Sequence, residues 1–316
     1  MFTETHAKSP LCHALAILVF AVAAPALSVE IPDTPDGTVR VVAEELANRH
    51  PEVLWQALPP SYQTDITKLT HGYAARMDPT VWNSAFGLGR KTAGLLRDKK
   101  TIILDSGLLE SAGENRQQIE DGWDPMISVL DGFFSSDVAR LDALKTMDWG
   151  HYLQTAGRDL MNRAAEASKA SDDDSFDRDF TQKLKKTKIE VVSQEGDQAT
   201  LLVSAPDEQP EELKLTRVEG RWIPSDLAAD WDREIADAKQ RLATLSDEEI
   251  QQKSMQAMMA IGMVDGMLTE LESVETSEQL EQAIQGFLGP FLGGNMGDGF
   301  MSEPSTSDPA PGTIDS

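Results

Sequence analysis

A mainly helical α+β protein is the fold class that this sequence predicts, and three patterns predict it. Apolar residues recur at helical spacing from Thr38 to about Ala170, drop to a period of two between Lys188 and Pro224, and return to helical spacing afterwards. The expected layout is therefore an N-terminal helical region, a small antiparallel β-meander and C-terminal helices. At 316 residues, with 40% apolar and 26% charged side chains, the chain can bury a real core and is neither disordered nor a membrane protein by composition.

Residues 1–28 read as an export signal. The run Ala14–Leu27 is apolar throughout apart from Pro25, and about 21 Å of helix is short of the ~30 Å hydrocarbon core. Ala26-Leu27-Ser28 places small side chains where a signal peptidase reads them, so cleavage after Ser28 is expected, with the periplasm as destination. An uncleaved anchor is the alternative. Cys12, the only cysteine, precedes the apolar run and would be lost with it. The mature chain then has no thiol, which excludes disulfide partners, thiolate catalysis and cysteine-bound metal.

Residues 29–37 carry two prolines and a glycine and read as a linker, and residues 38–170 as the helical region. Val39, Val42 and Leu46 begin the first stripe, and Pro51 suits the first turn of a short helix ending near Pro59-Pro60. Asp78-Pro79 pairs an N-cap acceptor with a proline at the first helical position, ahead of a face formed by Trp82, Ala85, Phe86, Ala93 and Leu96. Asp124-Pro125 repeats the signal before Met126, Val129, Leu130 and Phe133. Asp148 can cap a further helix whose inner face holds Trp149, Tyr152, Leu153, Ala156 and Leu160.

Residues 171–187 form a charged connector, and residues 188–224 the meander. Ile189, Val191 and Ser193 alternate, Gly196-Asp197 turns, Ala199, Leu201 and Val203 return, and Leu213 and Leu215 continue. Gly220 allows the last bend before Trp222 and Ile223. In residues 225–292, Leu227, Trp231, Ile235, Ala238 and Leu242 form one helical stripe. Ser246 with Glu249 is a capping box opening a long helix to about Ser273, and Thr276 with Gln279 opens a last one through Phe287. Its Gly286–Leu292 end reads as docking its phenylalanines on the core. Residues 293–316 have the composition of a disordered tail.

Lys188–Pro224 resembles the closing meander of NTF2-like and lumazine-binding-like domains of secreted bacterial proteins. The resemblance rests on Gly196-Asp197, the alternating return strand Ala199–Val203, Leu213 with Leu215, and Gly220-Arg221-Trp222-Ile223. It implies helices packed into the concave face of a curved sheet, often around a pocket. It implies no functional residue, and about 70 helical residues follow where such domains usually end.

Charge and motifs narrow the chemistry. With 53 acidic against 28 basic residues the formal charge is −25. Only Lys8 and Glu4 are charged in residues 1–28, so cleavage leaves it unchanged. Such an excess argues against nucleic acid, whose phosphates are bound by Lys and Arg, and against an anionic membrane surface. No Gly-x-Ser-x-Gly elbow, Walker loop or His-Glu-x-x-His occurs. Asp148 and His151 could form an acid–base pair, but an N-cap beside a surface histidine is the simpler reading. Asp172–Asp174 with Asp177 and Asp179 fails as an EF-hand loop, which needs glycine and glutamate where Asp177 and Lys183 stand. No cofactor or metal is expected.

The methionines are the remaining candidate site. Met255, Met259, Met263 and Met267 recur every fourth residue, with Met258 beside them, on the long capped helix. Their default reading is helix core, with Gly262 and Gly266 allowing close helix approach. The alternatives are a ligand or partner groove, since methionine adapts its shape, and Cu(I) held by thioethers. The function expected is a non-enzymatic envelope protein that binds a small molecule or a protein. A hydrolase-like periplasmic enzyme without a recognisable motif is the alternative.

Overall fold

The structure, a computed structural model, describes residues 29–107, 116–170, 181–206 and 209–293. The export segment, the acidic run at 171–180 and the tail from residue 294 lie outside the described residues. The fold is the mainly helical α+β type that the periodicities predict, with one four-stranded antiparallel sheet in the order β1-β2-β3-β4.

Two compact units divide the chain, and neither is continuous in sequence. The first joins the described residues up to Thr64 with Lys183–Asp232. It opens with α1 (Pro35–Ala47) and α2 (Glu52–Ala57). Helix α1 starts inside the expected linker, because the Thr34 hydroxyl accepts from the Gly37 N–H and Pro35 stands at the first helical position. Strands β1 (Lys188–Glu195), β2 (Gln198–Ser204), β3 (Glu211–Val218) and β4 (Arg221–Pro224) then form the meander. Residues 181–186 are helical, so the expected connector ends in an ordered turn.

Alternation holds in β2, where Ala199 and Leu201 are buried, and fails in β1 beyond Ile189. The register shifts between Val191 and Ser193, a bulge that turns Val191 and Val192 outward. Glu219 and Gly220 both have positive φ, the backbone a two-residue hairpin turn needs. Ile189, Ala199, Leu201, Leu215 and Trp222 form the core of this unit, with Val39 of α1 packed against them. Each large side chain so buried contributes roughly 1.5–3 kcal/mol. The Trp222 indole N–H donates to the Asp33 carbonyl at 3.2 Å, and Arg217 pairs with the Asp33 carboxylate, so the strands also hold the chain entering α1.

The second unit joins residues 65–182 with those from Arg233 onward. Its elements are α3 (Pro60–Arg76), which begins in the first unit, α4 (Pro79–Asp98), α5 (Lys100–Leu104) and α6 (Arg116–Ser135). Then come α7 (Leu141–Leu144), α8 (Trp149–Tyr152), a π-helical turn at Leu153–Gly157 and α9 (Arg158–Ala170). After the sheet follow α10 (Ser225–Thr244), shared between the units, α11 (Asp247–Glu272) and α12 (Ser277–Gly293). Helix α4 packs against both α6 and α11. Its N-cap is Asp78, as expected, with Oδ1 accepting from Thr80 N at 2.7 Å. Helix α12 runs past Phe287 to Gly293, and the side chains of 287–293 lie outside the described set.

Asp124-Pro125 does not start a helix. Pro125 lies inside α6, which is already helical at Arg116. An interior proline costs about 3 kcal/mol. Upstream packing offsets it: Trp123 is buried, its indole N–H donates to the Leu96 carbonyl at 2.9 Å, and Ile119 joins the same cluster. The inner face is accordingly Trp123 and Ile127, while Met126 and Phe133 of the expected inward stripe are exposed.

Candidate functional site

The site is built on α11, within the second unit. Its N-terminus is the expected capping box: Glu249 N–H donates to Ser246 Oγ at 3.1 Å, and Ser246 N–H to Glu249 Oε2 at 3.0 Å. The inner face of α11 packs through Val264, Met267, Leu268 and Leu271 against Leu88 and Leu95 of α4. Polar ties add to this packing along one flank and beyond both ends of the helix. Lys91 Nζ reaches Asp265 Oδ1 at 2.7 Å and Thr269 Oγ1 at 2.6 Å, and Arg76 Nη2 donates to the Leu245 carbonyl at 2.5 Å. Lys99 Nζ donates to the Val274 carbonyl at 2.6 Å just beyond the helix.

The outer face carries the methionines. Met255, Met259 and Met263 are 57%, 64% and 58% exposed. Core is therefore the wrong reading for these three. A four-residue step turns about 400°, so the row advances some 40° around the helix at each methionine. From Met255 to Met267 that drift reaches about 120°, enough to carry Met267 from the open face to the packed one. Met258, about 100° behind Met259, is half-buried on the opposite flank. The close helix approach expected at Gly262 and Gly266 is not made among the described residues; a side chain added at either would meet nothing within 4 Å. Of the five candidate residues, three share one open stripe, Met267 packs against the core and Met258 lies half-buried on a flank.

Two carboxylates complete the stripe, and periodicity alone could have found them. Glu248 and Glu270 each lie 11 residues from Met259, and 11 residues turn only about 20° beyond three full turns. The open face thus reads Glu248, Gln252, Met255, Met259, Met263, Gly266, Glu270, every one of them exposed. Lys253, the only basic residue of α11, sits about 120° around from Met259.

Asp148 and His151 meet through a cap: Asp148 Oδ1 accepts from the His151 backbone N–H at 3.0 Å, and both residues are exposed. The other two histidines among the described residues also serve local structure. His71 Nε2 lies 3.1 Å from the Met147 carbonyl, and His50 Nδ1 lies 2.6 Å from Glu45 Oε2. Two concave surfaces among the described residues can be placed. A depression of about 420 Å³ in the first unit is lined by Arg40, Glu44, Asn48, Lys185 and Ile189. A groove of about 590 Å³ in the second, edged by Arg76, Asp78, Asp247 and Gln251, adjoins the start of α11. Neither brings a histidine against a carboxylate. Comparison with protein-family models, curated proteins and solved structures gave no match.

Proposed function

We propose that this chain is an exported, non-enzymatic binding protein of the cell envelope that engages a protein partner through Met255, Met259 and Met263. The observation that carries this reading is a helix fixed along one face and open along the other. Three neighbouring methionines, each more than half exposed, occupy the open side. Apolar surface grouped in one stripe marks an interaction site more often than scattered apolar residues do. Methionine suits that role because its unbranched thioether fits differing partner shapes. Export is supported by the Ala14–Leu27 run and the small residues that end it. The NTF2-like resemblance belongs to this proposal too, as a scaffold for binding that specifies no ligand.

A photo-crosslinking residue placed at position 259 of the full chain tests the reading in cells. A discrete adduct is expected from position 259 and none from Glu120, an exposed residue of α6. Equal labelling from both would overturn it. The exported protein should begin at Val29 by intact mass; a mass that includes Met1 would overturn cleavage. The surface role also sets a stability expectation. Met259→Gln should change unfolding free energy by no more than about 0.5 kcal/mol, whereas Leu268→Ala on the inner face should cost about 2–5 kcal/mol. Urea unfolding measures both.

A further inference from the structure

Resting on that reading, we infer that the occupant of the stripe is a cationic amphipathic helix, with apolar anchors at its centre and Lys or Arg at both ends. The charges along α11 supply the argument. Carboxylates stand at positions 248 and 270, on the same face as the methionines and about 33 Å apart along the helix. Between them, residues 250–264 carry a single charge, Lys253, which lies off the face. The surface is therefore apolar at its middle and negative at its ends. A helical partner lying along the methionine row meets both carboxylates, and basic groups there are attracted while acidic ones are repelled.

The same pattern disfavours a second copy of this chain. Met255 and Met263 lie four residues either side of Met259, and Glu248 and Glu270 lie 11 either side. An antiparallel pair centred on Met259 would match the apolar residues but bring each Glu248 onto the partner copy's Glu270. A parallel pair would bring like onto like at both ends. With −25 on each chain, self-association meets repulsion at every scale. The near-symmetry also means that a doubly basic helix can lie in either direction.

The test uses the full chain and labelled synthetic helices, read by fluorescence anisotropy at low and moderate salt. One peptide has leucines at i, i+4 and i+8 with lysines at both ends. A second has glutamates at the ends, and a third is the first one scrambled to break its apolar face. The first should bind at least about tenfold more tightly than either other, and its affinity should fall as salt rises. E248Q/E270Q should weaken the first peptide and remove most of that salt dependence, and M255Q/M259Q/M263Q should abolish binding. If the two end-charged peptides bind alike, or E248Q/E270Q changes nothing, the cationic partner is overturned while docking on the methionines stands. If the scrambled peptide binds as well as the first, diffuse attraction to the acidic chain explains it and the proposal falls. Binding unaffected by the methionine variants overturns the docking reading itself. No binding by the first peptide, or a sedimenting dimer lost in the methionine variant, overturns the cationic helix as occupant.

Discussion

Tyr62 and Trp231 stack face to face, with ring centroids 3.8 Å apart and planes within 1° of parallel. Burial raises the Tyr62 phenol above its ordinary value of 10.0, and the carboxylates of Asp232 and Glu219 push it further the same way. Each disfavours the phenolate. The unfolded chain therefore ionises this group first as pH rises. Its contribution to stability is whole below about pH 10 and is lost as pH climbs through the raised folded value. In an alkaline titration followed by phenolate absorbance, Tyr62→Phe should remove a late ionisation step from the curve. A curve whose alkaline end is unchanged by Tyr62→Phe would contradict the burial. Glu219 works here a second time: its Oε2 accepts from the Ser61 N–H at 3.0 Å while its own backbone holds the positive φ of the hairpin turn. Nothing in the local pattern of residues 59–64 announces either neighbour, because both arrive from more than 150 residues away.

At the scale of elements, α11 shows how local and distant forces divide the work. Its start is local: two reciprocal hydrogen bonds between Ser246 and Glu249 satisfy N–H groups that no helical carbonyl can reach. Ser246→Ala should cost about 1 kcal/mol in urea unfolding and speed hydrogen exchange in the first turn of α11. Glu249→Gln, which keeps an acceptor, should cost less. An unchanged first turn in the alanine variant would show that Arg76 and the packing of the helix hold it alone. The second helix start, at α12, is looser. Gln279 N–H donates to Thr276 Oγ1 at 3.3 Å, but the Gln279 side chain accepts from Glu275 rather than from the cap residue. Pro125 makes the complementary point. The same Asp-Pro pair begins α4 and lies inside α6, and only the neighbours of Trp123 decide between the two.

On the scale of the whole molecule, the chain order hides the division into two units. Each is built from two pieces of chain that are separated in sequence. Residues 29–182 alone would leave α1 and α2 without the sheet, and α4 without α11. That fragment should show no cooperative unfolding and little near-ultraviolet circular dichroism. A fragment with native-like signals would mean that the helical region is self-sufficient. The linear scheme of helices, sheet and helices is right as an order of elements and silent on which of them share a core.

Much of this architecture is legible in the sequence, because caps, turns and periodicities act over a few residues. Asp78, Asp148, Ser246, Gly196 and Gly220 stand where their side chains or backbone freedom are needed, and the meander follows from its turn residues and the alternation of β2. The methionine row was visible too, as a spacing of four. What spacing does not contain is the identity of the neighbour. Val264, Leu268 and Leu271 form an inner stripe on α11, and Met255, Met259 and Met263 an outer one, so the helix is apolar on two sides. Either stripe satisfies the rule that apolar faces are buried. Helix α4 covers the first and leaves the second open, through contacts such as Lys91 to Asp265 that join residues more than 170 positions apart. Sequence determined that there would be a long helix with too much apolar surface for one side. Tertiary packing decided which side is left for a partner, because burial depends on where distant segments meet.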